Sequence, residues 1–108
     1  MELIRVYATS PTSAVAGAIT GVVLEYHQAE VEAVGAEALD HAVQALALAT
    51  DCLKRDGVFI ACVPELSQVT EENKVKTAIK FVVKSWTNAN VSFLGFSANS
   101  PSSDLPRV

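Results

Sequence analysis

Aromatic side chains are scarce in this chain: four Phe, two Tyr and one Trp among 108 residues. Proteins that stack single-stranded bases need such rings at their surface. Tyr7, Tyr26, Phe59 and Phe81 fall at positions patterned as core or buried strand, leaving only Trp86 and the phenylalanines after it to face outward. Cysteine is limited to Cys52 and Cys62, both in apolar stretches and without CxxC or Cys/His spacing. They are read as buried free thiols of a reducing cytoplasm, with a disulfide or a metal site as the lesser alternative. Long hydrophobic runs are also missing. The longest, residues 14–24, is interrupted by Gly17, Thr20 and Gly21, and a membrane span needs roughly 20 apolar residues. No basic segment leads into an apolar one near the start, so no secretory leader is expected. Positive charge is in deficit: eight Lys and Arg against twelve Asp and Glu, a net charge of −4. That excludes a protein held to nucleic acid by bulk charge alone. What remains is half hydrophobic and about one-fifth charged, the composition of a single folded domain.

The average hides an asymmetry. Residues 1–72 hold three basic residues, Arg5, Lys54 and Arg55, against eleven acidic ones, a balance of −8. Residues 73–84 hold Lys74, Lys76, Lys80 and Lys84 and no acid. Two readings of this basic strand compete: a solvated face whose lysines discourage edge-to-edge aggregation, or a contact for phosphates.

Periodicity sets the element order. Residues 3–9 are β-branched and aromatic and predict a first strand. Ser10-Pro11-Thr12-Ser13 breaks it, and Thr12 or Ser13 is suited to N-cap a helix over 13–27. Val15, Ala18, Ile19, Val22, Val23 and Tyr26 recur at helical steps and predict its buried face. Gly17 and Gly21 each cost about 1 kcal/mol in a helix, which predicts close approach of another backbone, from the second helix or a partner subunit. Residues 29–35 predict a second strand, opening with alternating acidic and apolar side chains. A second helix follows over 36–55, with a stripe of Leu39, Ala42, Val43, Leu46, Ala49 and Leu53, and Gly57 ends it with positive φ. Residues 58–63 are a buried third strand that Pro64 disrupts, Glu72-Asn73 is a turn, and 74–85 is a fourth strand. In the fourth strand Val75, Thr77, Ile79, Phe81 and Val83 point to the core, and Lys76, Ala78, Lys80, Val82 and Lys84 point away. The fold class is therefore an α/β two-layer sandwich, β-α-β-α-β-β, with a four-stranded mixed sheet carrying two helices on one face.

Residues 1–86 are read as the domain and 87–108 as a C-terminal extension, rich in Ser and Asn. Within it, residues 91–96 are apolar enough to predict an edge strand, docked on the body or on a partner subunit. Disorder is expected from about residue 97.

Three motifs then act together. Ser10-Pro11-Thr12-Ser13-Ala14-Val15-Ala16-Gly17-Ala18, the pair Val34-Gly35-Ala36-Glu37-Ala38-Leu39 and Ala42-Val43-Gln44-Ala45, and Lys76-Thr77-Ala78-Ile79-Lys80 resemble the bacterial stage V sporulation protein S family over about residues 2–84. The resemblance implies an Alba-like fold, a cytoplasmic regulator tied to sporulation in spore formers, and a nucleic-acid role. Alba-type proteins use a basic loop after the first strand and a basic hairpin between the last two. Here the first loop lacks Lys and Arg, so Ser10, Thr12 and Ser13 offer hydroxyls and helix N–H groups instead. The hairpin keeps Lys74 and Lys76 beside Glu65, Glu71 and Glu72.

His27 and His41 have no ligand spacing, and Gly35-Ala36-Glu37-Ala38 lacks the glycine pattern of a phosphate loop. No nucleophile, base and oxyanion site assemble, so neither enzyme, metal nor cofactor is expected. The favoured function is a regulator binding nucleic acid weakly and salt-sensitively through Lys74, Lys76, Lys80, Lys84, Ser10, Thr12 and Ser13. The alternative is a protein-interaction or assembly regulator. A homo-oligomer, with a dimer favoured, is expected from the small residues of helix one and the apolar tail.

Overall fold

A computed structural model describes residues 3–87. The chain runs β1 (Leu3–Val6), α1 (Thr12–Tyr26), β2 (Gln28–Val34), α2 (Ala36–Arg55), β3 (Val58–Glu71) and β4 (Lys74–Thr87), the predicted order. The sheet order is β1-β2-β4-β3. β1 and β2 are parallel, and β4 runs antiparallel to both β2 and β3. Cross-strand neighbours Val6 and Ala33, Ala29 and Val83, and Val31 and Phe81 share one face. All six are buried with Val15, Ala16, Ile19 and Val23 of α1 and Ala38, Ala42, Ala45, Leu46, Ala49 and Leu53 of α2. Both helices therefore pack on that face, and the other face has no helix over it. Four alanines on α2 have no exposed area; without larger side chains the helix lies close to its neighbours.

The helix stripes differ in detail from expectation. On α1 Ala16 is buried while Ala18 and Tyr26 are exposed; on α2 Ala38 and Ala45 take the place of Val43. α1 starts at Thr12 behind Pro11, with no side-chain cap. The expected caps, Thr12 and Ser13, fall inside the first turn instead: Thr12 Oγ1 lies 3.1 Å from His41 Nδ1 and Ser13 is exposed, while Ser10 Oγ accepts from the Tyr7 N–H at 2.9 Å. A Cβ added at Gly17 or Gly21 meets nothing within 4 Å, so the predicted close approach by the second helix does not occur. Cys52 and Cys62 are exposed rather than buried: Cys52 is on the outer side of α2, and Cys62 is on the edge strand. Gly57, with φ of 76°, follows α2 as expected.

The largest departure is β3. It continues through Pro64 to Glu71, because an edge strand has one side on which a missing N–H breaks no ladder bond. Glu72 and Asn73 both adopt positive φ, 50° and 64°, the geometry of a two-residue hairpin turn matched to strand twist. β2 accompanies β4 only from Lys84 back to Ala78. Residues 74–77 pair with 68–71 alone, so the hairpin projects as an arm beyond the body. Val75, expected in the core, is 66% exposed there, and Leu66 is 81% exposed. The core face of β4 is confined to Ile79, Phe81 and Val83. The expected strand at 91–96 and the rest of the extension lie outside the described residues.

Replacing Leu53 with Ala should cost about 2–5 kcal/mol by cavity formation, whereas Leu66→Ala should stay within about 0.5 kcal/mol; urea denaturation followed by circular dichroism reads both. Gly17→Ala and Gly21→Ala should each raise stability by about 1 kcal/mol. A loss of stability at these glycines would show that another chain packs against them.

Candidate nucleic-acid interface

Strand alternation places Lys74, Lys76, Ala78, Lys80, Val82, Lys84 and Trp86 on the helix-free face of the sheet. The separation of a lysine side from a core side is thus as predicted, but the setting of the lysines is different. β4 lies inside the sheet, between β2 and β3, so its lysines do not guard a sheet edge over most of their length. They meet carboxylates on both sides. The register sets Lys80 opposite Glu32 on β2 and Glu65 on β3, with Glu30 beside it opposite Val82. Lys80 Nζ lies 3.5 Å from Glu30 Oε2, and Lys76 Nζ lies 3.5 Å from Glu71 Oε2.

At the centre of this face is a group that sequence reading missed. Glu32 is only 5% exposed. Arg5 Nε from β1 stands 3.2 Å from its Oε1, and the Ser67 hydroxyl on β3 donates to its Oε2 at 2.9 Å. A carboxylate so deeply placed requires a charge and hydrogen-bond partners, and it ties β1, β2 and the edge strand together across β4. The signal was in the alternation of Glu30 and Glu32 with apolar neighbours. It gave them one face but not the register that set that face beside lysines.

Among the described residues, Lys74 and Lys84 have no carboxylate partner. They stand apart. Ala78 is opposite Val34 and Lys84 opposite Gln28, six residues of strand, or roughly 20 Å. Lys74 is at the tip of the arm. The end of the sheet from which the arm projects also receives the C-terminal ends of parallel β1 and β2, and therefore the N-termini of α1 and α2. The structure thus brings Ser10, Thr12 and Ser13 to the same end as Lys74 and Lys76, and sets Lys84 at the other. Ser10 and Thr12 are engaged internally, as described; Ser13 is exposed. No acid stands in the first turn of α1, whereas Glu37 occupies that of α2, so the positive end of the α1 dipole has no local counter-charge.

The aromatic side chains also differ from expectation. Tyr7 and Tyr26 are exposed, and among the described residues only Phe81 is a buried ring. Phe59 and Trp86 face each other across β3 and β4 on the helix-free face, stacked with centroids 6.0 Å apart and planes at 24°. Although Cys62 is exposed, desolvation by its strand neighbours pushes its thiol pKa above the ordinary value, which favours the less nucleophilic thiol form. No group of three His, Cys, Asp or Glu among the described residues could hold a metal ion, and no helix there is long and apolar enough to cross a membrane.

The family model described as Stage V sporulation protein S (SpoVS) matches residues 2–86. Among solved structures, Alba from Thermoplasma volcanium is similar, with a TM-score of 0.55 and 14% sequence identity. The match covers 76% of this chain and 98% of that one. At that identity the likeness is one of fold: an Alba-like sandwich.

Arg5→Ala should cost about 1–3 kcal/mol, by leaving the Glu32 carboxylate short of a partner. The figure is below that for a fully buried pair because Arg5 is half exposed. Lys76→Ala, at an exposed pair, should stay under about 1 kcal/mol. Lys80→Glu, which adds a carboxylate beside Glu30, Glu32 and Glu65, should destabilise more than Lys80→Gln. Urea denaturation of the four variants checks the order.

Proposed function

Because the chain belongs to the Stage V sporulation protein S family, we propose that it is a bacterial regulatory protein, tied to sporulation where the host forms spores, that acts by binding nucleic acid without catalysis. The observation that carries the reading is the arm. Lys74 and Lys76 project beyond the body at the end of the sheet where both helices present their N-termini. Exposed amines and backbone N–H groups suit a phosphate backbone. Lys84 adds a distant contact. Lys76 and Lys80, held by Glu71 and Glu30, have their charges already compensated and contribute less than Lys74. With an acidic body behind it, binding is weak and steeply salt-dependent. As such a regulator it acts in the cytoplasm, with residues 1–86 as its working unit and 87–108 as an accessory extension.

A specific observation favours a second reading, assembly with protein. Leu66 at the root of the arm and Val75 on it lie on the helix side of the sheet and are the two most exposed large hydrophobic residues among those described. Such a patch suits a second copy of the chain, consistent with a homodimer.

Electrophoretic shifts of the full chain against duplex DNA, single-stranded DNA and RNA, each at low and moderate salt, test the first reading. A shift that fades as salt rises is the expected outcome. Lys74→Ala and Lys84→Ala should each lower the slope of log affinity against log salt by about one. Absence of any shift at low salt, with the fold intact, rejects nucleic-acid binding. In that event light scattering of Leu66→Asp against the parent, with a fall in mass expected, tests assembly.

A further inference from the structure

The four-stranded face without helices is uneven in charge. Its middle and arm carry Glu30, Glu32, Glu65 and Glu71. Toward the other end the ladder reads differently. Lys84 stands between Gln28 on β2 and Ala61 on β3, and beyond it Trp86 faces Phe59. Among the described residues no carboxylate is paired with Lys84 or stands directly opposite it. The nearest on this face, Glu30, is two residues along β2 from Gln28 and is paired with Lys80, while Glu25 and Asp56 lie at helix ends in the other layer. The corner therefore combines a lysine without a carboxylate partner and a stacked pair of partly exposed rings. On the opposite, helix side of the sheet at this end a cleft of about 370 Å³ opens, lined by Val23, Leu24, His27, Val58, Ser85 and Thr87 together with Trp86. That volume is at the lower end of the range for small-molecule sites, about 300–1,000 Å³.

We propose that this corner, Phe59 and Trp86 with Lys84, is a base-stacking platform that gives the protein a preference for single-stranded nucleic acid. The proposal rests on the nucleic-acid reading above and adds to it the form of the ligand and the place where bases are held. A duplex keeps its bases stacked on one another and offers mainly phosphates and groove edges to a protein. A single strand offers free π-faces, which stack on aromatic rings with little regard to sequence. Lys84 is the adjacent cation for the backbone of the same strand. Arm and corner lie at opposite ends of β4, so a strand running along the sheet face would meet both, crossing ion-paired Lys80 and Lys76 between them.

Trp86 is the chain's single tryptophan, so its fluorescence reports on the corner alone. The full chain is titrated with a short oligothymidylate and with a duplex hairpin at low salt. The oligothymidylate should quench Trp86 saturably, and the duplex should do so only at higher concentration. Phe59→Leu and Lys84→Ala should each weaken the oligothymidylate curve, Phe59→Leu about tenfold given the strength of base–aromatic stacking. Lys74→Ala should leave the preference for single strands in place. Trp86→Phe, followed by gel shift, should retain binding because a ring remains, while Trp86→Ala should lose it with the circular dichroism spectrum unchanged. Binding seen by gel shift with Trp86 fluorescence unaltered, or equal response to duplex and single strand, overturns the platform and leaves the arm as the site. No binding of either ligand overturns the platform and the nucleic-acid reading together.

Discussion

A central β-strand has two neighbours and two faces, and in this protein β4 is subject to both constraints at once. Its odd-numbered side chains from Ile79 to Val83 complete the core beneath the helices. Its even-numbered lysines must then share the other face with whatever β2 and β3 place beside them. Those neighbours supply Glu30, Glu32 and Glu65 at the body and Glu71 on the arm. The ion pairs of Lys76 and Lys80, and the burial of Glu32 under Arg5 and Ser67, follow from the position of β4 in the sheet. The same position decides which charges remain available: Lys74 at the tip and Lys84 at the far end.

The hairpin extends this asymmetry into shape. β2 has seven residues and β4 has fourteen, so part of β4 must run on with β3 as its sole partner. Pairing continues because the turn at Glu72-Asn73 matches the twist of the two strands and Pro64 lies on the outermost strand. The cost is that apolar side chains, Val75 on the arm and Leu66 at its root, are left exposed. An exposed apolar strip and an exposed amine at the end of one arm are both suited to contact with another molecule, one with protein and the other with phosphate.

At the opposite end the chain is tied differently. His27 closes α1 in a left-handed conformation, and its carbonyl accepts from both the N–H and the hydroxyl of Ser85. This fixes the end of α1 beside β4, where the cleft opens next to Trp86. The packing of helix against sheet thus fixes the end of β4 whose opposite face carries the Phe59–Trp86 pair.

Much of this architecture was legible in the residues. The alternation of 75–84, the helical recurrence of Ile19 and Val23 or Leu46 and Leu53, and Gly57 after a basic helix end specify element types because each reflects a local period or a local φ. The three motifs resembling the stage V sporulation protein S family carried the fold class with them. Local patterns could not supply partners. Whether Lys80 meets solvent or Glu30, whether Phe59 faces a helix or open water, and whether Val75 is core or surface depend on strand order, register and the reach of the helices. Those are properties of contacts between residues far apart in the chain. The sequence by itself determined the alternation that puts four lysines on one side of a strand. Only the tertiary structure decided that this strand is interior, and so which of its lysines are already held by carboxylates and which stand unpaired.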